Sequence, residues 1–360
     1  SIPWFAETMH LNFIVDKESS ESREDSDYNT RPVGTGAYKF VEWIKGSYIR
    51  MVANDQYWEG APRYKSVDIL PITEETSNAA ALEGKQVDIV SGIPVTLIDR
   101  LKTMAHIKVV TRVGRRTMYM DIGNKPGTPF EDLRVRQALA HAINAEEIIE
   151  KVMGGQATLA HQLPDIPTIG YDKTIKRLPY DPAKAKELLT AAGYPNGFEI
   201  TIAGPNDRYV NDEKTCEAIA GYLEELGLQV KLDLKSKSLF FDELTDRKHN
   251  FYLIGWFDSL YDFGRSAEKL LHSPDEAKGM GVYNGANYSH RAIDNQIIAS
   301  SAIFDRDRRE EALQKINRQS VEDVAWIPLF YQQDVFAVSK DKKIHFTPRP
   351  DSWIVVKEIR

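Results

Sequence analysis

The sequence predicts an α/β protein of two lobes or more, on three observations. Its 360 residues exceed the length at which a single hydrophobic core usually stops growing. Strand-like runs alternate with helix-like runs along most of the chain, including a strand–helix–strand unit over 198–234. Two strand-like runs, Phe198 to Ala203 and Phe251 to Gly255, also end in loops that are polar and aromatic where a buried strand should close. These are Gly204-Pro205-Asn206-Asp207-Arg208-Tyr209 and Trp256-Phe257-Asp258-Ser259-Leu260-Tyr261. Ligands of α/β sheets sit beyond the carboxyl ends of strands, where loop amides and helix N-termini converge, so the two loops mark a binding cleft.

Composition narrows the class. With 42% hydrophobic and 28% charged residues the chain has ordinary globular usage. No run approaches the roughly 18 apolar residues that would cross a bilayer, so a soluble protein is expected. The net charge of −7 and the scatter of Lys and Arg leave no basic footprint for nucleic acid. A lone Cys216 allows neither an internal disulfide nor a thiolate metal cluster, which fits a reducing cytosol or a disulfide-free periplasmic protein. The chain opens at Ser1 with no charged n-region or apolar h-region ahead of Trp4, so an export signal would have been removed or never included.

Residues 17–32 are acidic and serine-rich and read as a surface loop or a disordered join. Ala37 to Trp43 and Tyr48 to Val52 alternate around Lys45-Gly46-Ser47 as a β-hairpin, with Gly34 and Gly36 in the turn that leads in. Val67 to Pro71 reads as a strand, Glu75 to Leu82 as a helix ended by Gly84, and Val87 to Val90 as a short buried strand. Over 131–155 the pattern is two helices. The first carries Val135, Leu139, Ala142 and Ile143 on one face; the second is capped by Asn144 with Glu147 three residues on, and stops at Gly154-Gly155.

A further helix has Asp181 at its cap, Pro182 at its first position, Ala185, Leu188, Leu189 and Ala192 inward, and Gly193 just past its end. The strand Phe198 to Ala203, the helix Glu213 to Leu226 closed by Gly227, and the alternating Val230-Leu232-Leu234 then make a βαβ unit with parallel strands. Phe251 to Gly255 is continuously apolar, as a strand covered on both faces must be. Arg306 to Val324 is an amphipathic helix burying Leu313, Ile316, Ser320 and Val324, followed by a strand Ile327 to Tyr331 and an extended tail from Phe346.

At the carboxyl end of the first strand of the βαβ unit, Arg208 can act as a fork for a carboxylate or phosphate, helped by orphan amides of the following helix. A surface salt bridge is the commoner fate of an exposed arginine. Trp256 can stack on a ligand or simply complete the core. Asp258 shares its side with Trp256 if the strand continues, and Ser259 points the other way.

No strong catalytic signature occurs: there is no His-Glu-x-x-His, no G-x-S-x-G, no P-loop and no G-x-G-x-x-G after a strand. Ser339-Lys340-Asp341-Lys342 satisfies S-x-x-K, but in a turn between strands rather than opening a helix. The eight histidines, among them His141, His161, His249 and His290, never pair at metal-ligand spacing on a helix face, so no metal or cofactor is expected. The doublets Glu146-Glu147, Glu224-Glu225 and Glu310-Glu311 read as solvated helix faces.

Several motifs together resemble one family. They are Gly34-Thr35-Gly36-Ala37-Tyr38-Lys39-Phe40, Asn54 to Pro62 with Tyr57-Trp58, Asp132 to Ile143 reading DLRVRQALAHAI, Tyr180 to Tyr194 reading YDPAKAKELLTAAGY, and Gly255-Trp256. The family is the bacterial extracellular solute-binding proteins of the peptide, opine and nickel class (family 5), which feed ABC importers. The family's usual proline after Gly-Thr-Gly is Ala37 here.

The resemblance implies a two-lobed, type II periplasmic-binding-protein-like fold, with mixed sheets flanked by helices and the N-terminal part of the usual fold missing. Residues 1–122 completed by 333–360 would form lobe I, and 123–332 lobe II. Asn124 would lie near the first crossing, with the second around Tyr331 to Phe336. Peptide-binding relatives carry an aspartate three positions after the Gly-Trp tryptophan, where this chain has Ser259; Asp258 lies one residue earlier. The Arg208 loop matches the segment that reaches the ligand's carboxylate.

The implied function is capture of a peptide-like or other anionic solute and delivery to a membrane permease, by a periplasmic, monomeric, non-enzymatic protein that binds no nucleic acid. The candidate ligand-binding set is Asn206, Arg208, Tyr209, Trp256, Asp258, Ser259, Tyr261, Asn124 and Gln162. A hydrolase or transferase on a similar scaffold, and a sensory docking module of the same fold, are the alternatives.

Overall fold

The computed structural model describes residues 15–22, 24, 29–341 and 344–360. The start of the chain with Ser1 and Trp4, part of the stretch 17–32, and Lys342 of the S-x-x-K run lie outside the described residues. Within 17–32, Lys17–Glu21 is a short helix rather than loop, begun by Asp16, whose carboxylate accepts from the Ser19 amide at 2.7 Å.

The hairpin forms as expected. β1 (Tyr38–Ile44) pairs antiparallel with β2 (Tyr48–Ala53), with Ile44 opposite Tyr48 and Gly46 at φ +78°. β3 (Ser66–Ile69) joins the other edge of β2. The helix Glu75–Glu83 ends at Gly84, and β4 (Ile89–Ser91) follows, shifted from the expected 87–90.

Contacts divide the described chain into two compact units: Val113–Gln333, and the residues up to Arg112 together with Asp334–Arg360. The chain passes from one to the other within β5 (Ile107–Ile122) and again within β10 (Trp326–Ser339). The passages drawn from the sequence, 122/123 and 332/333, lie in or beside the same two strands. In the smaller unit β4 pairs antiparallel with the last part of β10, Phe336 opposite Ser91. The tail beyond Phe346 is irregular, with a 3₁₀ turn at Val356–Glu358 in place of the expected extended strand.

The larger unit is built on a mixed sheet in the order β10-β5-β9-β7-β8, with β6 (Ala157–Leu159) added antiparallel to β10. β7 (Glu199–Pro205) runs parallel to β8 (Gln229–Lys235) and to β9 (Phe251–Trp256), and β5 runs antiparallel to β9. β9 is the continuous apolar run, and Phe251, Tyr252, Leu253 and Ile254 are all buried.

Helices cover the sheet by burying single apolar faces. Leu133–Ala142 buries Val135, Leu139 and Ala142; Pro182–Ala191 buries Ala185 and Leu189; Arg306–Glu322 buries Leu313 and Ile316. Each Val, Leu or Ile among them contributes about 1.5–3 kcal/mol on leaving water, before entropy is counted, and each Ala less. The helix ends follow the punctuation in the sequence. Asp181 accepts from the Lys184 amide at 2.9 Å, and Gly193 and Gly227 take φ +94° and +97° past their helices. Asn144 caps the second helix of 131–155, which continues after one α turn as a π-helical turn, Ile148–Val152.

Because β7, β8 and β9 are parallel, their carboxyl ends collect at one rim of the sheet. The antiparallel β5 brings its residues 115–117 to the same rim, with Thr117 opposite Trp256.

Candidate functional site

The rim gathers most of the residues anticipated from the sequence. In the loop after β7, Asn206, Asp207 and Arg208 are exposed while Tyr209 is buried against the end of β9. The Tyr209 hydroxyl donates to the Gly255 carbonyl at 3.3 Å, and burial raises its pKa. Gly255 is glycine for steric reasons: a Cβ there would lie 2.6 Å from Met118 Sδ and 3.0 Å from Tyr209 Cε1. Two guanidiniums face the Tyr209 ring, that of Arg208 at 5.2 Å and that of Arg116 at 5.6 Å from its centroid. Arg116 also donates to the Gly255 carbonyl at 3.5 Å. Among the described residues Arg208 makes no ion pair, so the salt-bridge fate is not the one it takes here.

The orphan amides expected to support Arg208 are already satisfied. The helix Asp212–Glu225 starts after Asn211 in the left-handed region, and the Asp212 carboxylate accepts from the amides of Arg208 and Tyr209, each at 2.9 Å, and of Glu213 at 3.0 Å. Asp212 is thus the anion at this helix start, and the amides of Arg208 and Tyr209 are taken by it. Burial raises the Asp212 pKa, while the three amide bonds pull it down.

The second loop is ordered by one hydroxyl. Trp256 Nε1 donates to Ser266 Oγ at 2.8 Å, and Ser266 in turn donates to the Asp258 carboxylate, whose other oxygen accepts from the Leu260 amide at 2.8 Å. Asp258 is 5% exposed with both oxygens engaged, and burial raises its pKa. It braces the Trp256 indole and cannot reach a solute. Trp256 itself is half-buried, with the exposed Tyr283 ring 5.9 Å away. Ser259 accepts from Arg265 at 3.4 Å. Tyr261, at φ +57°, lies 3.6 Å over the Arg115 guanidinium, which is buried in a two-point pair with Asp165 at 2.7 and 3.0 Å.

Two anticipated residues do not join this cluster. Asn124 follows the far end of β5: Ile122 pairs with Phe251, roughly 17 Å along β9 from Trp256, and the Gly123 amide bonds to Asn250, so Asn124 lies beyond the opposite end of β9. Its amide is closed in a reciprocal pair with the backbone of Ser289 at 2.8 and 2.9 Å. Gln162 is fully buried. Its amide donates to the Asp172 carbonyl at 2.7 Å and accepts from the Asp172 amide and from Asn317, which leaves it structural.

Arg116, Asp212, Ser266 and Tyr283 belong to the rim and were not singled out from the sequence. An arginine doublet, Arg115-Arg116, opening the otherwise apolar part of β5 was the available signal.

Elsewhere in the larger unit, a cavity of about 510 Å³ is lined by Phe198, Thr201, Asp233, Glu243, His249 and Phe251 among others, and contains none of the anticipated residues. Asp233, Glu243 and His249 converge there at metal-ligand distances from three separate elements, which helix-face spacing could not reveal. The Lys235 ammonium lies among them, 3.0 Å from Asp233 and 2.7 Å from Glu243, and holds the Glu243 carboxyl below the usual range. The cluster is a salt-bridge network with its cation in place.

The rim of the mixed sheet carries the guanidiniums of Arg208 and Arg116 beside the half-buried Trp256 and the exposed Tyr283, and solved structures of periplasmic and other binding proteins share the fold. The substrate-binding protein CtaP of Listeria monocytogenes matches with TM-score 0.88 at 23% identity, over 99% of this chain and 73% of that one. The periplasmic binding protein DppA of Helicobacter pylori, in complex with peptide STSA, matches with TM-score 0.80 at 25% identity, over 99% and 69%.

The family description "Bacterial extracellular solute-binding proteins, family 5 Middle" matches residues 3–278, and the chain belongs to that family. Among curated relatives, the glutathione-binding protein GsiB of Escherichia coli is 27% identical over 86% of this chain and 61% of its own length. The oligopeptide-binding protein AppA of Bacillus subtilis is 25% identical over 93% and 63%. The chain thus spans about three-fifths of the length of these relatives.

Proposed function

We propose that the chain is the solute-binding component of an ABC importer, acting outside the cytoplasmic membrane, in the periplasm. It takes a peptide-like or other anionic solute and hands it to the permease, without covalent chemistry. In this reading residues 1–122 with 333–360, and residues 123–332, are two lobes that close on the solute as a monomer. Closure then follows from the solute's higher affinity for the closed state, in which water is excluded from its charges. The names of the relatives, all binding proteins, support this over a hydrolase or transferase.

The observation that carries the reading is the Arg208 guanidinium, exposed on the Tyr209 ring at the rim with no ion pair among the described residues. A solute carboxylate would complete a charge-assisted pair there, with Arg116 facing the same ring and Trp256, Asn206, Ser259 and Tyr261 in the two rim loops.

Native mass spectrometry of the protein purified without denaturation identifies the solute it carries, and calorimetry then compares wild type with Arg208→Ala. The expected loss is about tenfold or more, the scale of a hydrogen bond to a charged group. Unchanged affinity removes Arg208 from the site.

A further inference from the structure

We infer that the rings of Trp256 and Tyr283 form an aromatic platform at the rim, and that the solute carries an aromatic group that seats on it. The inference rests on the reading that the rim loops bind the solute, and it deepens that reading by naming a side-chain class that they select.

One short piece of chain holds both rings. Trp256 is tied to it through Ser266 Oγ, which accepts from the indole Nε1 at 2.8 Å. Ser266 leads directly into the π-helical turn Ala267–Leu271, and that turn holds the Tyr283 segment. The Gly281 amide donates to the Glu268 carbonyl at 2.7 Å, and the Tyr283 amide to the Lys269 carbonyl at 2.9 Å. The approach is close enough to require glycine: Gly281 takes φ +60°, and a Cβ there would lie 2.4 Å from the His272 carbonyl oxygen. Just past Tyr283, the Asn284 side chain donates to the carbonyls of His272 and Tyr288 at 3.0 and 2.8 Å and accepts from the Tyr288 amide at 3.0 Å.

The ring centroids lie 5.9 Å apart with their planes inclined at 50°. Because both rings hang from residues 266–269, they belong to one unit and present one surface.

That surface is mostly carbon. The single polar atom of the indole is engaged by Ser266, so Trp256 has only ring surface to give. Tyr283 is 55% exposed and its neighbour Val282 41%. An apolar group laid here releases water from both partners in proportion to the area covered. An aromatic group gains further from offset or edge-to-face contact with the two rings, an attraction open neither to a methyl group nor to a charged one. Alanyl side chains cover little of the platform, so a phenyl group is favoured over them on both counts.

Calorimetry of the full chain compares trialanine with the tripeptides Phe-Ala-Ala, Ala-Phe-Ala and Ala-Ala-Phe. At least one of the three is expected to bind about tenfold more tightly than trialanine. Tyr283→Ala, at an exposed ring, is expected to narrow that ratio several-fold, and Tyr283→Phe to keep it. Equal affinity of all four peptides, a ratio that survives Tyr283→Ala, or binding of none of them would overturn the inference. Self-association of the wild type that Tyr283→Ala abolishes would also overturn it, by assigning the rings to a contact between copies. The reading beneath it fails by a different result, an unchanged affinity of Arg208→Ala for the co-purified solute; a peptide ratio that depends on Tyr283 would still support the platform in that case.

Discussion

Two charged clusters of the larger unit, the salt-bridge network around Lys235 and the rim around Arg208, are built from similar residues and do opposite things. Around Lys235 an ammonium meets two carboxylates within 3.0 Å, and His249 adds a bond to Glu243 at 3.1 Å, so the charges cancel where they stand. At the rim the buried carboxylates are turned inward to amides, a hydroxyl and buried arginines, and Arg208 makes no ion pair among the described residues. Both clusters are polar and partly exposed. What separates the proposed binding edge from the structural cluster is whether its hydrogen-bonding and charge capacity is already taken up.

The largest effect should come from disturbing the inward-turned carboxylates. Asp165→Asn leaves the Arg115 guanidinium, itself 5% exposed, buried without its counter-charge. The expected cost is about 3–5 kcal/mol in denaturant unfolding, the scale for removing one partner of a buried pair. A cost below 1 kcal/mol would mean that the pair is solvated and that the contrast with the exposed network is weaker than described.

A buried carboxylate with no cation beside it among the described residues sharpens the same contrast. Asp121, on β5, is 4% exposed and accepts from the Tyr252 hydroxyl at 2.5 Å; burial pushes its pKa up to about 7, a shift that hydrogen bond offsets in part. In the unfolded chain the same group loses its proton near pH 4. Between these two values the folded chain binds more protons than the unfolded one, so stability falls as pH rises and levels off above the folded pKa. Asp121→Asn keeps an acceptor for Tyr252 and should flatten the profile of Tm between pH 5 and 8, with a difference on the order of 1–4 kcal/mol at the alkaline end. A parallel slope in the variant would assign the pH dependence to other groups.

The smallest effect is expected at the exposed network. Lys235→Met should leave both stability and solute affinity near wild type, since partly exposed pairs contribute little and the cluster lies apart from the rim. A marked loss of solute affinity in that variant would place the solute at the 510 Å³ cavity instead.

The helix Pro182–Ala191 and the βαβ unit were legible because their punctuation is local: Asp181-Pro182 and Gly193 for the helix, and Gly227 for the unit, each act within a few residues of their own helix end. The same holds for the two rim loops, since a loop's place at a strand's carboxyl end follows from the strand itself. β5 was not legible. Lys108, Arg112, Arg115 and Arg116 break the apolar alternation, and their partners, such as Asp165, come from elsewhere in the chain. Asn124 and Gln162 lie away from the rim for the same reason. Antiparallel register with β9 carries Asn124 to the opposite end of the sheet, and Asn317, distant in sequence, closes the amide of Gln162. Asp212 passed as an ordinary helix-start residue because only the folded loop shows three amides converging on it.

The Ser266 hydroxyl ties the Trp256 indole and the Asp258 carboxylate into one piece, and its neighbour Gly264 packs so closely on Arg309 that a Cβ would lie 2.2 Å from that guanidinium. The surface proposed to receive the solute is therefore fastened to the helix Arg306–Glu322 before any guest arrives. Little orientational freedom remains for the indole to surrender on contact, so more of each favourable interaction survives as affinity.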